Sequence, residues 1–440
     1  MRMLRYWMRL ILAFANKFKL VLFFGVVTGF FGFVLARFLL PLAWGGHTER
    51  IGLVGRYHVE DLPQSVIEMV SIGLTVIDDQ GRVQPGLAKE WDSEEEGKKW
   101  TFKLKDGLAW HDGEKVISET INYNFEGEMR VDYPNEGTIV FELKNPLAAF
   151  PSILARPIFK KGLIGVGEWK VSKVSLVGDY VEKITLRRGR DRKIYSFYPT
   201  EEKLKTAYKL GSVDVLEDLL DPSPFDEWST ANLIEEPNSD RYVAIFLNNQ
   251  SEVFSSNKAL RQALYYSIDK KVWGERAFGP ISPNSWAYNP QVKDYEYDQR
   301  RARELIEEVG SEAIEALNIQ LVVSPVLLNV AEKVAQDWRV VGVKTTILVS
   351  SVIPVDYQAF MAIVDVSRDP DQYAMWHSTQ METNISNYSN PRIDKLLEDG
   401  RKELNEDDRK KIYLDFQRFL LEDAPAIFLY HPISYTVERK

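Results

Sequence analysis

Leu247–Asp269, LNNQSEVFSSNKALRQALYYSID, is the stretch on which the reading of the fold turns. It follows Val243–Asn248, an apolar, strand-like segment, and within it Leu260, Ala263, Leu264 and Ile268 recur at the spacing of one buried helix face. A strand leading into an amphipathic helix opens an α/β unit, and the downstream sequence continues in kind. Asp298–Val309 is a helical pattern stopped by Gly310. Ile319–Val323, residues 330–341 and Lys344–Val349 read as strand, helix, strand. Ile412, Phe416, Phe419 and Leu420 share one face of a long charged helix ending before Pro425, and Ala426–Tyr430 reads as a buried strand. Upstream the character changes. Ile72–Asp78 is apolar and runs into an Asp79-Gln80-Gly81 turn; Trp100–Lys105 alternates and closes on Asp106-Gly107. Thr138–Leu143 is a further strand, and Trp169–Val174 with Val181–Arg187 predicts a hairpin. A β-rich first half and a helix-rich second half fit two lobes better than a single sheet.

Composition narrows the function. With 45% hydrophobic and 27% charged residues, the 440-residue chain is neither collagen-like nor disordered. Residues 1–48 carry six basic groups and no acid, so the remainder holds 49 basic against 64 acidic groups, a net of −15. Such a body is unsuited to nucleic-acid backbone, and no nucleic-acid partner is expected. Cysteine is absent, which removes disulfides, thiolate metal sites, Cys nucleophiles and a lipid-modified N-terminal Cys. Leu20–Ala36 is an uncharged run that extends past a snorkelling Arg37 through Leu42, long enough to cross a bilayer. The basic groups before it should stay in the cytoplasm. The expectation is a cytoplasmic basic segment (1–19), an uncleaved transmembrane signal anchor (20–44) and a body on the extracytoplasmic side of the cytoplasmic membrane. A cleavable signal peptide is the alternative, and its exit site at Leu42–Gly46 matches poorly.

Catalytic chemistry finds little support. The five histidines (His47, His58, His111, His377, His431) have no metal-ligand spacing, and no H-E-x-x-H, G-x-S-x-G or Walker A pattern occurs. Gly162–Lys170 begins like a dinucleotide loop but has Lys170 where the third glycine would stand, and reads as a turn. No enzyme activity, catalytic residue, metal or cofactor is expected.

Several segments, in order, resemble the family 5 solute-binding proteins of ABC importers, the peptide- and nickel-binding group. They are Pro85–Trp91, Trp100–Gly107, Trp110–Glu114, Gly165–Val171, Tyr208–Val215, the Leu247–Asp269 block, Asp369–Tyr373, Trp376–Ser378, Asn387–Pro391 and Ile393-Asp394. The resemblance covers about residues 50–436. It implies a two-lobed α/β fold like that of periplasmic binding proteins, with a hinge crossed twice. Lobe I would take residues 49–245, including a β-rich subdomain (about 76–160) trimmed between Tyr123 and Thr138. Lobe II would take 246–424, and 425–440 would return to lobe I, with crossings near Val243–Asn248 and Ala424–Tyr430. It implies capture of oligopeptides by a monomeric receptor that hands them to an ABC permease, with a buried carboxylate fixing the peptide amine. Asp365 and Asp369 are the candidates for that role, Asp369 being equally suited to capping the following helix. Trp376, Tyr388 and Tyr430 could wall the ligand or simply fill the core. Arg261 is expected in a structural salt bridge, and Trp110 and His111 in structural roles. A tethered sensor of the same fold, or a nickel-chelate or sugar ligand, are the alternatives.

Overall fold

The computed structural model describes residues 46–440 except 124, 126–128, 311–316, 351 and 354–355, together with 7, 17–20, 25 and 28–33. Most of the expected anchor, 20–44, lies outside the described residues. No helix among the described residues is long and apolar enough to cross a membrane.

Lobe I opens with strand β1 (Thr48–Val54) and helix α1 (Gln64–Val70). The hairpin β2 (Thr75–Ile77) and β3 (Val83–Pro85) then leads into a subdomain of β4 (Ala88–Glu94), β5 (Lys99–Leu104), β6 (Met129–Asn135) and β7 (Thr138–Leu143), closed by the short helix α2 (Phe150–Ile153). Its antiparallel sheet runs β4-β5-β7-β6 over a core of Trp100, Phe102, Phe141 and Phe150, whose rings pack mostly edge to face. The chain continues through β8 (Lys170–Val177), β9 (Tyr180–Arg188), β10 (Asp191–Tyr198), helix α3 (Glu201–Lys209), β11 (Val215–Leu219) and β12 (Ala231–Pro237).

Lobe II begins at β13 (Arg241–Leu247), followed by α4 (Lys258–Tyr266), α5 (Gln299–Val309), β14 (Asn318–Val323), α6 (Leu328–Val340), β15 (Lys344–Val349) and β16 (Ala359–Asp365). Helices α7 (Tyr373–Trp376), α8 (Pro391–Lys402) and α9 (Glu406–Asp423) precede β17 (Ala426–Tyr430). Its sheet runs β15-β14-β16-β13-β17, with β14 parallel to both of its neighbours. Side chains mark the helix starts: Asn257, Asp298, Asn390 and Asn405 each accept a first-turn N–H, at α4, α5, α8 and α9. The last strand, β18 (Ile433–Arg439), re-enters lobe I between β12 and β11, giving a sheet of order β12-β18-β11-β1-β10-β9-β8.

The hinge therefore lies a few residues from its expected place. Val243–Asn248 and Ala424–Tyr430 are not crossings; the first supplies most of β13 and the second contains all of β17, paired inside the lobe II sheet. The crossings are at residues 238–240 and 431–432, side by side: Asn238 N donates to Pro432 O (3.0 Å) and His431 Nδ1 lies 2.7 Å from Arg241 O. The apolar runs read as hinges because a strand buried on both faces carries the same signal. Arg261 also departs from expectation: its guanidinium donates to the carbonyls of Phe254 and Asp423, not to a carboxylate. Trp110 and His111 are structural, their ring nitrogens bonded to Thr120 Oγ1 and Gly167 O.

Candidate functional site

Between the lobes lies a cleft of about 1370 Å³. Its floor is the hinge and the strand ends beside it, with Val54 of β1, Glu217 and Asp218 of β11 and Thr436 of β18. Helix α1 and residues 149–157 form one wall, and Asp365–Asp371 with Arg401 form the other. The lobes also touch on the side away from the hinge. Ser152 Oγ donates to Asp369 Oδ2 (2.7 Å), Ala148 N to Arg401 O (2.6 Å) and Trp286 N to Gln80 O (2.9 Å). Arg82 pairs with Glu406 (3.1 Å) and Arg368 with Glu68 (3.3 Å). The cleft is thus roofed, the closed form of a two-jaw clamp.

Charge in the cleft is lopsided. Nine carboxylates line it against four arginines and no lysine. Three of the arginines are already paired: Arg241 with Asp218 and Asp365, Arg368 with Glu68, Arg401 with Asp371. Arg241 meets both oxygens of Asp218 (2.8 and 2.7 Å) and one of Asp365 (2.7 Å), and these carboxylates outweigh burial to raise its pKa. Asp218 sits at φ 58°, in the irregularity where β11 slips against β18, and Ser434 Oγ also donates to it. A non-glycine residue in that conformation carries strain, a common property of ligand sites. Neighbouring Glu217 has no hydrogen-bond or ion-pair partner among the described residues, and burial pushes its carboxyl above the usual range against the pull of Lys193.

On the opposite wall Asp369 is nearly enclosed. Arg409 grips it with two guanidinium nitrogens (2.7 and 3.2 Å), while Ser152 Oγ and Asp371 N supply further donors. Burial opposes the Arg409 charge, but Asp369 and Tyr413 overcome it and the guanidinium pKa rises.

A hinged pair of α/β lobes enclosing a polar cleft is the build of a periplasmic-type receptor, and the sequence comparison makes it specific. Residues 82–381 match the family model described as bacterial extracellular solute-binding proteins, family 5 Middle. The chain belongs to that family. Family 5 proteins are solute-binding, non-catalytic components of ABC importers. The oligopeptide-binding protein AppA of Bacillus subtilis is 24% identical over 86% of this chain and 84% of its own length. The dipeptide-binding protein of Escherichia coli is 23% identical, over 81% and 82%. Among solved structures, NikZ from Campylobacter jejuni in complex with Ni(L-His) superposes with a TM-score of 0.74 at 22% identity, covering 89% of this chain and 94% of that one. AppA from Bacillus subtilis in complex with a nonapeptide gives 0.70 at 20%, covering 90% and 95%.

In this family 5 protein, two of the five sequence candidates reach the cleft. Asp365 lines it with its side chain 82% exposed, and Asp369 lines it already paired with Arg409. The other three do not reach it. Trp376 is fully buried against Phe246 and Phe428. The Tyr388 hydroxyl donates to Asp423 (2.7 Å), and Tyr430 stacks on Trp273, its phenol pushed up to about 12 by burial. Each packs within lobe II. Sequence alone does not single out Arg241, Asp218, Glu217 or Arg156, although Asp218 lies three residues past the Tyr208–Val215 motif that carries the resemblance.

Proposed function

We propose that this protein captures peptides in the interlobe cleft and delivers them to the permease of an ABC importer. It works outside the cytoplasmic membrane, tethered by its N-terminal segment. The charge balance of the cleft carries the reading. Five carboxylates there (Glu60, Asp61, Glu217, Glu236 and Asp240) have no arginine or lysine partner among the described residues, and Arg156 alone of the arginines lacks a carboxylate. A free peptide is a zwitterion, and its ammonium suits the acidic floor while its carboxylate suits Arg156. Asp365, exposed and sharing Arg241, is the carboxylate we assign to the ammonium. The resemblance singles out its neighbourhood for that role, and the relatives named for oligopeptides and dipeptides support peptide as the ligand. A tether does what a lipid anchor would do, holding the receptor near its permease at high effective concentration.

The test is thermal melting with a peptide library. Peptides with free amines at about a hundred times Kd should stabilise the protein by roughly 2.7 kcal/mol, N-acetylated ones far less, and D365N should erase the difference. Stabilisation by Ni(L-His) with none by any peptide would overturn the reading. Deleting the candidate permease should abolish peptide uptake; uptake unchanged would leave a sensor in place of a transport receptor.

A further inference from the structure

A second, smaller cavity of about 170 Å³ opens off the wall of the cleft. Gln64, Ile77, Ala155, Pro157 and Arg368 line both spaces, so the two adjoin. Ile72, Val76 and Ile77 make its apolar side, completed by Ala155 and Pro157. The polar groups at its rim bond to one another. Gln64 Nε2 donates to Glu68 Oε1 (2.6 Å), and Arg368 donates to the same oxygen from lobe II (3.3 Å). The larger part of the wall offered to a visitor is hydrocarbon. A cavity of about 150 Å³ with such walls accepts benzene, so this one has room for one leucine or phenylalanine side chain.

We propose that this side chamber is a selective subsite for one aliphatic or phenyl side chain of the bound peptide. The proposal rests on the peptide reading and deepens it. The Glu68–Arg368 pair joins α1 to lobe II across the rim, so closure and occupancy reinforce each other. Backbone contacts in the main cleft set affinity for peptides in general, and the chamber ranks them.

The experiment uses the full-length protein and a set of short peptides with Ala, Leu, Phe or Lys placed at each position in turn, read by calorimetric titration. At one position Leu or Phe should bind about tenfold or more tightly than Ala, the scale on which an apolar pocket discriminates, with Lys no better than Ala. Filling the chamber from opposite sides with V76W or A155L should collapse that Leu-to-Ala ratio to about unity. Two variants on different segments guard against one that fails to fold, and melting temperature checks each. Peptides that bind the wild type with no position preferring Leu or Phe would overturn the subsite and leave the peptide reading standing. So would a preference unchanged in both folded variants. Binding by no peptide at all would remove both.

Discussion

At the residue scale, Asp369 and Arg409 form a couple whose value is best seen by breaking it. Both side chains are about nine-tenths buried, so a lone survivor would hold its charge without a counter-ion. R409M should therefore destabilise the protein by about 3–5 kcal/mol, while R409M combined with D369L should recover much of that loss in denaturant melts. Glu217 behaves in the opposite sense. A carboxyl whose pKa is raised on folding binds its proton more readily in the folded state. Its ionisation thus costs stability as pH rises above the unfolded value of about 4.3. E217Q should raise stability at pH 7, by about 1.4 kcal/mol for each unit of that rise, and do nothing below pH 4. It should also weaken binding of cationic peptides. A melting temperature unmoved at pH 7 would show that Glu217 has a counter-ion after all. Residue type alone could not sort these roles. Trp376, Tyr388 and Tyr430 carry the aromatic bulk that suits a ligand wall and a core equally, and only tertiary packing separates the two. Glu217 and Asp218 look like any acidic pair until β11 is seen to end in the cleft.

At the element scale, the turn between β2 and β3 joins the subdomain to lobe II. Gly81 takes φ 77°, and a Cβ there would lie 2.5 Å from Arg368 O. The turn needs glycine twice, once for its own backbone and once for the approach of the other lobe. G81A should thus oppose closure beyond any strain within the turn, lowering peptide affinity by about tenfold, or 1.4 kcal/mol, in titrations. Affinity equal to wild type would mean that the turn does not limit closure. Gly165 and Gly167 have a related reason: added Cβ atoms would fall 2.2 and 2.5 Å from the carbonyls of Val70 and Met69 at the end of α1. Local pattern found β7, β15 and β17 with their observed ends, because each is a short apolar or alternating run between clear stops. It passed over β1, β11, β12 and β18, which are half-polar strands completed by partners far along the chain. Pattern reports that a segment is buried; it does not say in which lobe, and for that reason the hinge was misplaced by a few residues.

At the scale of the whole molecule, the two lobes meet at the hinge and at the roof. The roof combines exposed ion pairs, Arg82–Glu406 and Arg368–Glu68, with the sheltered Ser152–Asp369 bond. Exposed pairs are worth about 0–1 kcal/mol each and fade as salt shortens the Debye length from about 10 Å at 0.1 M to 3 Å at 1 M. Small-angle scattering of the ligand-free protein should show the radius of gyration rising over that range, and saturating peptide should suppress the rise. A radius independent of salt would mean that the sheltered contacts alone hold the jaws.

The course of β18 has a consequence for biosynthesis. A ribosome releases β1 early, yet the strand that fills the gap between β11 and β12 comes only with Ile433–Arg439. Residues 241–430 can assemble their sheet while translation is still under way, since every strand of it has by then emerged. The half made first must wait as an unsealed sheet until Ile433–Arg439 has been made. A stop directly after Tyr430 would leave that half without an interior strand and spare the half made second.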